Sequence, residues 1–226
     1  MAEHSGPYRW LVRKVWANQN DSPLIRAQLN QLLAELPPGG RGLNVGSGST
    51  ALGEALVNLD RVHSPTVDCV ADALSLPFGQ ETFSLVVSQE TLEHLRDPFQ
   101  GVREMARVLR PGGALYLQVP FVIGYHPGPE DYWRFSRMGL RELVRRSGLQ
   151  CGEAQIGVGP ATGFYRILVE FIATIAARIW SRAYLPIKAA SSLVFFPLKW
   201  LEGWLTESPQ RDRIPGGYLV VAKKRD

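Results

Sequence analysis

The sequence predicts an α/β fold built around a mostly parallel sheet, and three features predict it. Short apolar runs that read as buried strands alternate with amphipathic helical stretches. A glycine-rich turn, Gly46-Ser47-Gly48-Ser49, follows the first of those runs. Acids close the next two, Asp60 and Asp72. Open α/β sheets bind ligands beyond the carboxyl ends of their strands, so the same features that predict the fold also locate a candidate site.

Taken in order, Leu24, Ile25, Leu29, Leu32, Leu33 and Leu36 recur at helical spacing after Asp21-Ser22-Pro23, and Pro37-Pro38-Gly39-Gly40 stops that helix. Residues 42–45 read as a short buried strand, 55–59 as a second ending at Asp60, and 67–71 as a third ending at Asp72. TFSLVVSQ (82–89) is a fourth. DPFQGVREMARVLRPGG then reads as an amphipathic helix with Val102, Met105, Ala106 and Leu109 on one face, ended by Pro111-Gly112-Gly113. ALYLQVP (114–120) is a fifth strand. A helix is predicted over 136–147, a strand over 150–156, and a final strand in GGYLVVAKK.

At 226 residues the chain has length for one substantial core. The expected organisation is a single domain: an N-terminal helical extension (1–39), a ligand-binding core (40–156), an apolar helical insert (160–206) and the final strand (214–226). The formal charge is +4. Arg103, Arg107, Arg110, Arg134, Arg137, Arg141, Arg145 and Arg146 are spread along the chain, as on a solvated helix face; an anionic membrane surface or a nucleic-acid groove is the alternative. No interleaved aromatic and basic groove pattern supports nucleic acid, so none is expected. Cys69 and Cys151 are the only cysteines. A disulfide framework is therefore not expected, nor a metal site, and a reducing, cytoplasmic setting fits. The opening MAEHSGPYRWLVRK does not read as a secretory signal.

In the glycine turn, the missing Cβ atoms let the backbone bend sharply and a ligand come close. Asp60 suits two ribose hydroxyls, and Asp72 suits an adenine amino group. A dinucleotide fingerprint would place a third glycine at the start of a long helix, with its acid about 20 residues on. Here Ala51 stands in that place and Asp60 follows Gly48 closely. A ligand with ribose and adenine but no phosphates fits better.

On these residues the sequence resembles the class I S-adenosylmethionine-dependent methyltransferases, in particular the type-11 group. LNVGSGS looks like the first motif, VNLD like the second-strand acid, VADALSLPF like the adenine-side motif, and FSLVVSQETLEHLRDPFQGVREMARVLRPGGALYLQVP like the strand–helix–strand that follows. The resemblance implies a Rossmann-like fold: a mostly parallel seven-stranded sheet with an antiparallel final strand and a helical insert before it. It implies S-adenosyl-L-methionine as cofactor. Gly46, Ser47 and Gly48 would line its methionine and ribose portion, Asp60 would hold the ribose, and Asp72 with the Ala73 backbone would read adenine. Ser88, Gln89 and Glu90 would sit near the methyl-bearing sulfur. Asn44 stands where the family usually has an acid, and the first crossover is short for a parallel connection. Asn44 is still counted among the cofactor-binding residues; its identity bears on how the turn is braced and how the cofactor's amino group is met, and the short crossover implies lower cofactor affinity or a partner or lid that completes the site.

Candidate acceptor residues lie past the fourth and fifth strands. VPFVIGYHPGPEDYWRFSRMGL resembles a "PF…H…P…DYWRFS" signature of type-11-like members. It implies His126 as base, Asp131 as its orienter or a second base, and Tyr132, Trp133 and Arg134 as substrate contacts. The bland alternative pairs Asp131 with Arg134 and places Trp133 in the core. His94, beside Glu93, is a further catalytic candidate or simply a helix cap. No Asn-Pro-Pro-Tyr follows the fourth strand, which tilts the acceptor toward an oxygen or carbon of a small molecule, glycan or lipid. The insert GFYRILVEFIATIAARIWSRAYLPIKAASSLVFFPLKWLEGWL (163–205) has Ala189 to Leu198 as its longest charge-free run, too short to span a bilayer. It reads as a lid, an interface between copies, or an interfacial membrane helix. The activity expected is methyl transfer; the alternative is a catalytically inactive scaffold of the same fold.

Overall fold

The computed structural model describes residues 22–225. The opening segment read as lacking a secretory signal lies outside the described residues. The chain divides into two compact units.

The first unit holds residues 23–120, 125–155 and 218–225. Its strands are β1 (Gly42–Val45), β2 (Leu56–Asp60), β3 (Cys69–Val70), β4 (Phe83–Gln89), β5 (Leu109–Pro120), β6 (Gln150–Cys151) and β8 (Gly217–Lys223). They lie in the order β3-β2-β1-β4-β5-β8-β6. β1 runs parallel to β2 and β4, β2 to β3 and β4 to β5, whereas β8 runs antiparallel to β6. All four residues of β1 are buried, as expected of a central strand of a parallel sheet covered on both faces. No helix forms between β1 and β2, in keeping with the short crossover.

Helix α1 (Pro23–Ala34) buries Ile25, Leu29 and Leu32. Helix α2 (Pro98–Val108) starts on Asp97, whose side chain accepts the Gln100 N–H, with Pro98 in the first turn where its missing donor costs nothing. It buries Val102, Met105 and Ala106. The expected stop at Pro111-Gly112-Gly113 is a correction. The carbonyls of Arg107 and Val108 accept N–H groups from Glu81 and Thr82 at the entrance to β4, so the helix ends there. Leu109 then opens β5 opposite Phe83, and the Arg-Pro-Gly-Gly run becomes an irregularity within the strand. Helix α3 (Arg137–Arg146) is capped by Ser136 and buries Leu140, Leu143 and Val144. The strand expected over 150–156 is broken by Gly152-Glu153-Ala154 into β6 and β7 (Gln155–Val158). Arg107 is no simple solvated charge: it donates to Phe78 O at 2.8 Å, to Leu76 O at 3.0 Å and to Glu104.

The second unit holds residues 121–124 and 156–217. Its helices are α4 (Pro160–Ile179), α5 (Tyr184–Phe195) and α6 (Glu202–Thr206). Glu202 closes the N-terminus of α4, accepting N–H groups of Gly159 (2.8 Å), Ala161 (2.9 Å) and Thr162 (3.1 Å), where a negative charge also meets the positive end of the helix dipole. Glu170 pairs with Lys188 and accepts the Tyr184 hydroxyl at 2.6 Å. The expectation that nothing here could span a bilayer rested on charge-free runs. Helix α4 has the length and mean hydropathy (1.2) to do so by composition alone, yet 44% of that stretch is buried within the protein.

Candidate functional site

The tips of β1, β2, β3 and β4 surround a cleft of about 460 Å3, a size suited to a small ligand. Gly46 and Gly48 come from the first tip, Asp60 from the second, Asp72 and Ala73 from beyond the third, and Glu90, Thr91 and His94 from beyond the fourth. Gly128, Pro129, Glu130 and Tyr132 complete the wall.

The Asp60 carboxylate accepts the Gly48 N–H at 2.9 Å on one oxygen and the Val62 N–H at 2.8 Å on the other. Two backbone donors fix its orientation while each oxygen keeps a further lone pair for a hydroxyl. Asp72 Oδ1 accepts the Leu74 N–H at 2.8 Å beside buried Ala73.

The glycine turn is held against β2, since the Gly46 and Ser47 N–H groups both donate to Leu59 O (2.8 and 3.1 Å). Gly46 has φ +71°, and a Cβ there would lie 2.2 Å from Thr91 Oγ1. Thr91 is itself fixed, donating to Gln89 O at 3.0 Å. At Gly48 (φ +53°) a Cβ would meet nothing, so the demand is conformational.

Asn44 is 3% exposed and does not line the cleft. Its Nδ2 donates to Thr50 O at 3.1 Å and to Asn58 Oδ1 at 3.0 Å. Asn58 in turn donates from its backbone N (2.8 Å) and its Nδ2 (3.3 Å) to Asp68. Asn44 thus ties the end of the glycine turn, at Thr50, to β2 at Asn58.

Past β4, Glu90 holds a left-handed backbone (φ +51°), unusual for a side chain of its size and common where function demands it. Gln89 donates to Gln118 at 2.8 Å, and Ser88 is buried in the sheet. Neither Ser88, Gln89 nor Ser47 lines the cleft.

His94 and His126 pack edge to face with ring centroids 5.2 Å apart, and each Nε2 lies 3.7 Å from Oε1 of Glu93. His94 reaches the cleft; His126 sits behind it, 35% exposed at its side chain. The Asp131 carboxylate, 2% exposed, grips Arg134 with both oxygens and accepts the His126 backbone N–H at 3.0 Å. The Arg134 hydrogen bonds, opposed by burial, hold Asp131 well below the ordinary carboxylate range, at about 2. A carboxylate so weakly basic orients His126 better than it abstracts protons. Both of its oxygens are engaged by Arg134, the pairing that the bland alternative expects. Trp133 donates to Leu95 O at 3.0 Å, stacks on Phe135 and lies outside the cleft wall, whereas Tyr132 lines it.

Sequence reasoning missed Thr91 as the neighbour that excludes a Cβ at Gly46. It also missed Arg61 and Glu130, which lie 3.5 Å apart and both line the cleft, and the complete burial of the Glu93 side chain. Only the adjacency of Glu93 to His94 offered a signal.

Residues 43–117 match the family described as a methyltransferase domain. Over 116 residues the chain is 37% identical to Methyltransferase GfsG of Streptomyces halstedii, covering 49% of this chain and 32% of that protein. It is 38% identical over 110 residues to 27-O-demethylrifamycin SV methyltransferase of Amycolatopsis mediterranei, covering 45% and 40%. The chain thus spans under half the length of these curated relatives. Haemonchus contortus phosphoethanolamine N-methyltransferase 2, solved with S-adenosyl-L-methionine, shares the fold with a TM-score of 0.58 at 17% identity, covering 96% of this chain and 56% of that one.

Proposed function

We propose that this chain, which belongs to the class I S-adenosylmethionine-dependent methyltransferases of the type-11 group, binds S-adenosylmethionine in the strand-tip cleft and methylates an oxygen or carbon of a small-molecule, glycan or lipid-linked acceptor. The observation that carries this reading is the convergence of Gly46, Gly48, Asp60, Asp72 and Ala73 on one cleft. The donor set fits the cofactor. Two carboxylates already oriented by backbone N–H groups offer acceptors to ribose hydroxyls and an adenine amino group, and the glycine turn leaves bare backbone beside them. When bound, that cofactor supplies a methyl group on a charged sulfur, open to in-line displacement.

Asp60 would hold the ribose, and Asp72 with Ala73 the adenine. His94 is the imidazole that reaches the cleft, where its ring would contact the acceptor, and Asp131 accepts the His126 backbone N–H. Tyr132 and Glu90 would contact the acceptor. Calorimetry with S-adenosylhomocysteine tests the assignment: Asp60→Ala should weaken binding at least tenfold, ~1.4 kcal/mol. Unchanged affinity in that variant rejects the placement.

A lipid-linked acceptor is favoured by one feature of the helical unit. Trp180, Trp200 and Trp204 are exposed there, together with Phe171, Ile179 and Leu185. Bulky apolar side chains beside exposed Arg178 and Arg182 suit a peripheral contact with an anionic membrane surface. Flotation with anionic liposomes checks this, and no co-flotation would remove it.

A further inference from the structure

We propose that Glu93, His94 and His126 form a binding site for one divalent transition-metal ion. Glu93 is the anomaly. Its side chain is fully buried, yet neither carboxylate oxygen has a hydrogen-bond partner. A carboxylate buried in that state is strongly disfavoured unless something positive meets it.

What faces it is a pair of imidazole nitrogens, with the Arg134 guanidinium near enough to attract it but not hydrogen-bonded to it. His94 Nε2 and His126 Nε2 each lie 3.7 Å from Glu93 Oε1, too far for a good hydrogen bond. Candidate ligand atoms from all three residues lie within 4.8 Å of one another. Bonds of ~2.0–2.1 Å in a tetrahedral site put neighbouring ligand atoms ~3.3 Å apart. A contraction of a few tenths of an ångström in each of those two distances, with the two rings drawn together from within 4.8 Å, suits a shared ion.

The far side of the His94 ring is prepared for the same task. His94 Nδ1 lies 2.5 Å from Glu130 O. A carbonyl can only accept, so Nδ1 carries the proton and the Nε2 lone pair is aimed at the carboxylate. His126 Nδ1 lies 3.4 Å from the Arg134 guanidinium, which can only donate, and 3.6 Å from Asp131 Oδ2, so an ion on Nε2 requires that ring's proton to move to Nδ1, toward Asp131. A carbonyl behind the ring, as at His94, is a common way of orienting a metal-ligating histidine. Two nitrogens and one oxygen favour zinc, cobalt or nickel over magnesium and calcium, which prefer oxygen shells. Spacing along the chain did not suggest the site, because the two histidines come from separate segments.

His94 also forms part of the cleft wall. An ion held there would have an open position for an acceptor oxygen. That consequence rests on the methyltransferase reading; the ion site does not.

The test is titration of chelator-stripped full-length protein with Co2+, read by its visible d–d bands. One ion per chain, displaced by Zn2+, is expected. His126→Ala and Glu93→Gln should each weaken Co2+ binding at least tenfold, with folding checked by circular dichroism. Absence of bands in the folded wild-type protein overturns the site, as does unchanged affinity in folded His126→Ala. Calorimetry with S-adenosylhomocysteine on the same samples separates the two readings. Co2+ bound without S-adenosylhomocysteine binding supports the ion site and overturns the cofactor placement. S-adenosylhomocysteine bound without Co2+ overturns the ion site alone.

Discussion

Asn44 Nδ2 donates to Asn58 Oδ1 at 3.0 Å, and the direction of that bond is set from the far end of the relay. Asp68 can only accept, so Asn58 must turn its Nδ2 toward Asp68 and its Oδ1 toward Asn44. Asn44 must then donate, both to Asn58 and to Thr50 O. A carboxylate at position 44 would meet two acceptors in a buried pocket. Asn44→Asp is therefore expected to destabilise the protein by about 2–3 kcal/mol, more than Asn44→Ala, which leaves acceptors unpaired without adding a charge. Urea unfolding of the two variants checks the order.

Gly46 and Thr91 form a second constraint on the same turn. A Cβ at position 46 would overlap Thr91 Oγ1 and Cγ2 (2.2 and 2.5 Å), and the backbone there is left-handed. Gly46→Ala should cost stability by about 2 kcal/mol and lower affinity for S-adenosylhomocysteine at least tenfold. Adding Thr91→Ala removes the clash but not the backbone demand. The double variant should therefore recover part of the loss, and a double-mutant cycle measures how much. No recovery would place the whole cost in the backbone.

The strand tips were legible in the sequence because buried parallel strands read as apolar runs and their ends are marked by glycine or acid. The boundary at Leu109 was not. Its periodicity suits the α2 face, and only the long-range pairing with Phe83 pulls it into β5. The same limit applied at the site. Asp60, Asp72 and Gly46 announce themselves locally, whereas the burial of the Glu93 side chain and the relay through Asn58 depend on segments far apart in the chain. An amphipathic pattern reports one face of one element, and nothing in it encodes which distant side chain meets that face. Ser88 and Gln89 lie at the right strand end, but one side chain is buried in the sheet and the other is tied to Gln118.

Asp131 links the acceptor loop to pH. Its folded pKa of about 2 lies below the ordinary 3.8, so its pairing contributes stability that is complete above pH 3.8. That contribution is lost as pH falls from 3.8 toward about 2, because the unfolded chain takes up the proton first. Asp131→Asn should be less stable than wild type by about 1–3 kcal/mol at neutral pH. The gap should narrow through that acid window. Urea midpoints for both proteins across it test the claim, and a constant gap would contradict it.

Lys199 gives the helical unit a dependence of the same sign in an alkaline window. Burial, aided by repulsion from Arg166, brings its pKa from 10.5 down to about 8. The ammonium lies 4.8 Å from the Tyr165 ring centroid and 5.7 Å from that of Phe196, attractions that do not offset the lost hydration. Between pH 8 and 10.5 the unfolded lysine keeps its proton while the folded one has released it. The unfolded state then binds more protons, so stability rises with pH across that window. Lys199→Met should remove this component of the rise while leaving the acid-window behaviour of Asp131 unchanged. Titration of reductively methylated Lys199 by nuclear magnetic resonance should show a midpoint near 8, and a midpoint at the ordinary lysine value would mean that the ammonium remains hydrated in the folded chain.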